Sequence, residues 1–202
     1  DILTKRLGLT GWLMLTVMLV MIPAALLLGI FSGMREGSKL DRTLSAFSIT
    51  STATPEYVSG IVFIAIFSSS AFGLKWFKGS ATSAMDDITW VNFTLPVMTI
   101  ALYGMGYIAR MTRASMAEVM TSQYIRTARL KGVSFTSIVI KHALRNALIA
   151  PFTVIMLQFP WLLNGVVIVE TIFNYKGFGW VLVQAASNND IDLLLGCSVI
   201  AV

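Results

Sequence analysis

Charge is scarce in this chain. Asp, Glu, Lys and Arg make up 12% of its 202 residues, about half the share of a soluble domain. Hydrophobic residues make up 56% and mean hydropathy is +0.77, which leaves too little polar surface to cover a water-soluble globule. There is one cysteine, Cys197, so no disulfide can form within the chain. There is one histidine, His142, and no Cys/His/Asp/Glu cluster has metal-ligand spacing. A Gly-rich phosphate loop ending in Lys-Ser/Thr, a Gly-x-Ser-x-Gly elbow and a His-Glu-x-x-His helix are all missing. These absences argue against nucleotide hydrolysis, serine-hydrolase chemistry and zinc catalysis within the chain, and no cofactor is expected.

What the chain does have is long uncharged runs: Gly11–Phe31, Tyr57–Leu74, Phe93–Ala109 and Ala147–Val169. Each reaches or approaches the roughly 17–25 residues that a helix needs to cross a bilayer. A fifth run begins at Leu193 and is still apolar at Val202. The expected fold is therefore an all-α membrane protein, a polytopic helical bundle of about five spans forming one domain over residues 1–202. The chain has no initiator methionine, and residues 1–10 carry no signal-peptide pattern. A fragment with further helix on both sides is the expectation.

Four polar segments separate the runs. Residues 34–54 and 110–146 together hold ten Lys and Arg, whereas 75–92 and 170–192 hold three; Lys5 and Arg6 raise the smaller count to five. Alternate segments share a side, so the positive-inside rule puts 34–54 and 110–146 in the cytoplasm. The net charge of +5 then reflects membrane topology, and no nucleic-acid partner is expected.

Pro23, Pro96, Pro151 and Pro160 fall within the runs, where they kink helices and leave carbonyls for neighbours to satisfy. Gly29 and Gly33 form a small-xxx-small pair suited to close helix approach. No run has an ionisable residue at its centre, which counts against an ion-coupled carrier. The polar residues available in the runs are Ser68, Ser69, Ser70, Gln158 and Asn164. Ser69, Gln158 and Asn164 are candidates to line a pathway, although such residues more often bond to a neighbouring helix.

Residues 110–146 are too long for a passive turn and too patterned for disorder. Ala114–Leu130 reads as one helix, rich in Ala, Met, Glu and Arg and free of Gly and Pro. Gly132 follows as a C-cap glycine and Ser134 as an N-cap. Phe135, Ile138, Val139 and His142 then recur on one helical face. The apolar stripe of this helix–Gly–helix elbow needs a partner. An anionic lipid surface and a groove on another protein fit it equally well on physical grounds.

Tyr124–Pro151, YIRTARLKGVSFTSIVIKHALRNALIAP, resembles the cytoplasmic-loop signature of ABC importer permeases, most closely the dipeptide/oligopeptide/nickel branch. Arg126-Thr127-Ala128, three residues and Gly132 stand where the broader signature has Glu-Ala-Ala, three residues and Gly; the branch form is Arg-Thr-Ala. Val166–Gly179 resembles a second stretch of the family, with Lys176 where Pro is usual, and Arg35, Asp41 and Arg42 lie in a segment resembling the family's Arg…Asp-Arg turn. The resemblance covers about residues 6–202. It implies a type I importer permease with one span before this chain's first and a last span running on past Val202. Residues 114–146 would carry the coupling helix. Arg126, Thr127, Ala128, Lys131, Gly132, Val133, Ser134 and Phe135 would contact ABC ATPase subunits. The implied partners are those ATPases, a second identical or paralogous permease subunit, an extracytoplasmic substrate-binding protein and the bilayer of a bacterial inner membrane. From other classes, a membrane-embedded enzyme would need convergent polar groups at membrane depth, and an ATP-independent channel or secondary carrier has no use for the elbow.

Overall fold

In a computed structural model, described over residues 2–70, 72 and 74–201, all regular structure among the described residues is helical. The elements are α1 (Ile2–Gly33), α2 (Lys39–Ala53), α3 (Glu56–Phe67), a 3₁₀ turn (Thr82–Met85), α4 (Trp90–Met120), α5 (Gln123–Leu130), α6 (Phe135–Ser137), a π segment (Ile138–Ala143), α7 (Leu144–Ala147), α8 (Ile149–Ile172), α9 (Phe178–Ser187) and α10 (Ile191–Ala201). Among the described residues, α1, α4 and α8 are long and apolar enough to cross a membrane, and α2 with α3 pass that test only when taken together. The fifth apolar run appears as the 11-residue α10.

Helix boundaries depart from the hydropathy runs where polar side chains or proline intervene. The run starting at Tyr57 stays helical only to Phe67. Beyond it come three serines, and the chain folds back so that Trp76 and Phe77 donate backbone N–H bonds to Phe67 O. Phe63, Phe67, Trp76, Phe77 and Trp90 then form a chain of ring contacts 5.7–6.1 Å apart. Thr54 and Pro55 break α2 from α3, as expected where proline denies the preceding residue helical geometry. Pro151 instead sits in the first turn of α8, where a missing N–H costs nothing. Pro23, Pro96 and Pro160 lie inside continuous helices.

Two compact units emerge. The first comprises Asp1–Met18, Pro55–Ala101 and Pro160–Val202; the second comprises Leu19–Thr54 and Leu102–Phe159. In the first, Phe173, Tyr175 and Leu13 are fully buried, and Phe178, Val181 and Cys197 form an apolar cluster. In the second, α1 lies against α4 through its two small residues. A Cβ on Gly29 would stand 2.6 Å from Ala109 O, and one on Gly33 2.6 Å from Arg113 O, so side chains at either position would force the helices apart. Many large apolar side chains point outward, among them Trp12, Leu19, Met156, Leu157 and Val199. Exposure on that scale suits hydrocarbon and not water.

Candidate partner-docking elbow and buried polar clusters

The elbow belongs to the second unit. α4 and α5 are separate helices: the single helix expected over 114–130 breaks at Thr121 and Ser122, whose hydroxyls bond back to Glu118 O at 2.7 Å and Val119 O at 2.6 Å and so compete with helix continuation. α5 ends in a Schellman motif. Val133 N donates to Ala128 O at 3.2 Å and Gly132 N to Arg129 O at 3.0 Å, with Gly132 at φ +76°, the left-handed slot that glycine fills without a Cβ penalty. Ser134 has the extended conformation of an N-cap, though its side chain makes no cap bond.

The inner face of the elbow is Ile125, Ala128, Ile138, Val139, Ala143 and Ala147, packed on Met116 and Met120 and flanked by Ile30, Met34, Val133 and Phe135. Most of the apolar stripe is therefore consumed within the chain. His142 leaves the stripe: the wider turn of the π segment carries Ala143 inward in its place. Ser115 Oγ donates to Ala147 O at 2.8 Å and Asn146 Nδ2 to Tyr124 Oη at 2.9 Å. The Arg35 guanidinium lies 5.0 Å from the Phe135 ring centroid. Of the expected contact residues, Arg126, Thr127, Lys131, Gly132 and Ser134 are exposed, Val133 and Phe135 are half-buried, and Ala128 is buried against the base. The most exposed large apolar side chain of the elbow is Leu130, 82% exposed and one residue before Lys131. Helical periodicity hid it, because Leu130 lies on the polar face of α5.

A second cluster holds the base. Asp41, in the first turn of α2, accepts from Arg113 Nε at 2.6 Å and Nη2 at 2.8 Å, from Ser32 Oγ at 2.5 Å, Ser45 Oγ at 3.1 Å and Gly37 N at 2.8 Å. Ser38 Oγ caps α2 by accepting from Asp41 N at 3.1 Å. Arg113 reads in the sequence as one more loop cation; in the structure it is a bidentate strut.

In the first unit the segment after α8 is bound just as tightly. Glu170, fully buried, accepts from Thr10 Oγ1 and from Trp180 N at 3.0 Å. Thr10 Oγ1 accepts from Phe178 N at 2.8 Å. Residues of α1 and α8 thus cap α9, whose own N-cap, Gly177, offers no side chain. Tyr175 Oη donates to Leu9 O at 2.6 Å, and burial first, then the Glu170 charge, hold this phenol above its ordinary pKa and keep it a donor. Asn174 (φ +51°) turns the chain where α8 ends. Arg6 Nη1 donates to Lys176 O at 2.6 Å, so the turn closes with Lys where the family usually has Pro.

A family model described as "Binding-protein-dependent transport system inner membrane component" matches residues 25–202. The chain belongs to that family. As a member it is an integral membrane protein. It is 32% identical over 197 residues to a probable peptide ABC transporter permease of Sinorhizobium fredii, covering 96% of this chain and 62% of the relative. A putative peptide transport system permease of Brucella abortus is 34% identical with the same coverage. The glutathione transport system permease GsiC of Escherichia coli is 34% identical over 194 residues, 96% of this chain and 61% of that protein. The chain thus spans about three fifths of the length of these curated relatives.

In this member of the family the three candidate pathway residues do not form one group. Ser69 and Asn164 belong to the first unit and Gln158 to the second. Ser69 follows the end of α3 and is half-buried. Asn164 is exposed and lines a largely apolar cavity of about 510 Å³ with Thr10, Met14 and Phe178. Gln158 is 8% exposed. One ionisable group escaped the sequence reading. Glu56 lies one residue before the apolar run that begins at Tyr57, and it is buried at the start of α3.

Proposed function

We propose that the chain is the permease subunit of an ATP-driven importer, forming a translocation pathway by alternating access under the drive of a separate ABC ATPase. The observation that carries this reading is the elbow, a stiff platform with Leu130, Lys131 and Gly132 at its tip. An apolar side chain ringed by Arg126, Arg129 and Lys131 is suited to a groove on a partner. Arg126, Thr127, Lys131 and Ser134 are the polar contacts in this reading, while Ala128, Val133 and Phe135 hold the platform to α4. The partners are ABC ATPases, a second permease subunit and an extracytoplasmic binding protein. The membrane is the bacterial inner membrane, with residues 34–54 and 110–146 in the cytoplasm. The relatives named as peptide and glutathione permeases support peptides as the solute class. Residues 114–146 act as the coupling element. An ATP-independent channel or carrier leaves the elbow without a purpose.

The test is reconstitution with the ATPase, the second permease and the binding protein. Leu130→Asp is expected to lower ATPase retention and ATP-dependent peptide uptake about tenfold, with the melting temperature unchanged because Leu130 packs on little. Full retention and uptake in both Leu130→Asp and Gly132→Val would overturn the coupling assignment.

A further inference from the structure

The first unit contains two buried glutamates, and they differ in one respect. Both oxygens of Glu170 accept hydrogen bonds. Glu56 Oε1 is buried with no hydrogen-bond partner, the one such side-chain atom among the described residues. Glu56 is 8% exposed. No cation neutralises it either, since the ion pairs found among the described residues both belong to Arg113. Burying an ionised carboxyl without a donor or a counter-charge is costly, so the site favours a ligand that supplies both.

Its position adds to the anomaly. Glu56 opens the apolar helix α3 directly after the Thr54–Pro55 break. A buried ionisable group on an apolar helix of a membrane protein is a functional-site hypothesis by default. The carboxylate rests against the backbone of Gly165 in α8: a Cβ there would stand 2.9 Å from Oε1 and 3.0 Å from Oε2. Ser59, one turn along α3, is also buried, and Thr99 of α4 is fully buried beside Gly60. Gly165 therefore provides the room that the carboxylate occupies, and separation of α3 from α8 would bare an acidic oxygen already free to accept.

We infer that Glu56 is a solute-binding group which takes a protonated amine, such as the free α-ammonium of a peptide, through its unpartnered Oε1 next to Gly165. An ammonium supplies the missing donor and the missing counter-charge together. A metal ion suits the place poorly, because no cluster of three His, Cys, Asp or Glu is present among the described residues. The inference rests on the permease reading above.

The experiment uses the complete importer in proteoliposomes with saturating binding protein, and compares uptake of trialanine with uptake of its N-acetyl form. The binding protein is identical in every arm, so a change in the uptake ratio between variants belongs to the permease. Glu56→Gln keeps size and removes charge. It is expected to lower the free-amine to acetylated ratio about tenfold, with acetylated uptake maintained. Gly165→Ala, which crowds the carboxylate, is expected to lower the same ratio in a complex that still assembles. An unchanged ratio in Glu56→Gln would overturn the inference while leaving the permease reading intact, and so would an equal fall in both uptakes, the mark of a structural role. Absence of ATP-dependent uptake of either form by the unaltered importer would overturn the permease reading, and the inference with it.

Discussion

Arg113 and Asp41 are 72 positions apart, and their pairing decides how three helices meet in the second unit. Asp41 has 3% of its side-chain surface exposed and Arg113 30%, so removing the arginine leaves a buried carboxylate without its counter-charge. Arg113→Ala is expected to cost about 3 kcal/mol, the low end for a broken buried pair because one partner is partly solvated. Thermal unfolding of the purified protein in detergent measures it. Arg113→Lys should recover only part of the loss, since a lysine cannot make the two-pronged contact. Thr10 works in the same way in the first unit: its hydroxyl donates to Glu170 and accepts from Phe178 N. Thr10→Val should cost about 1–3 kcal/mol and open the 173–179 turn to limited proteolysis. No local pattern announces either contact. Short-range periodicity shows which face of a helix is apolar, but not that a threonine near the start of α1 caps a helix that begins at Phe178.

At the scale of elements, the legible features were those with local causes. The break at Gly132 and the restart at Ser134 follow from backbone chemistry carried by those residues, and both stand where the composition puts them. The Gly29/Gly33 pair meets α4 as its spacing implies. Gly29→Leu or Gly33→Val should block that approach and lower the yield of folded protein, read as the monodisperse fraction in size-exclusion chromatography. The features that stayed hidden were set by packing. Ala114–Leu130 is uninterrupted helix by propensity, yet Thr121 and Ser122 break it so that Ile125 and Ala128 can turn onto Met116 and Met120. The π segment swaps Ala143 for His142 on the buried face, which an α-helical period cannot anticipate. Gly132→Val meets nothing within 4 Å of its new Cβ. Its cost is backbone strain alone, about 1–2 kcal/mol, and Gly132→Asn should recover much of it. Phe135→Asp is the poorer probe of docking, because the ring is part of the elbow's own core and carries Arg35 on its face; Leu130 has no such duty.

For the molecule as a whole, all-helical class and membrane residence followed from hydropathy, while sidedness rests on an imbalance of ten cations against five. Arg113 weakens that count by one, since its charge is spent on Asp41, but the bias survives the subtraction. Sidedness matters to the proposed function because a cytoplasmic ATPase would reach the elbow only from that side. Cys197, the single cysteine, is buried, and Cys197→Ala provides a background without thiols. On that background Lys131→Cys tags the elbow and Lys78→Cys tags the segment between α3 and α4; both positions are exposed. A membrane-impermeant maleimide should label Lys131→Cys in inside-out vesicles only, and Lys78→Cys in right-side-out vesicles only. Labelling of Lys131→Cys from the outside would put the elbow beyond the reach of any cytoplasmic motor. The exposed leucine at its tip would then need an extracytoplasmic partner, and the buried polar struts beneath it would be bracing the wrong face of the membrane for ATP-driven transport.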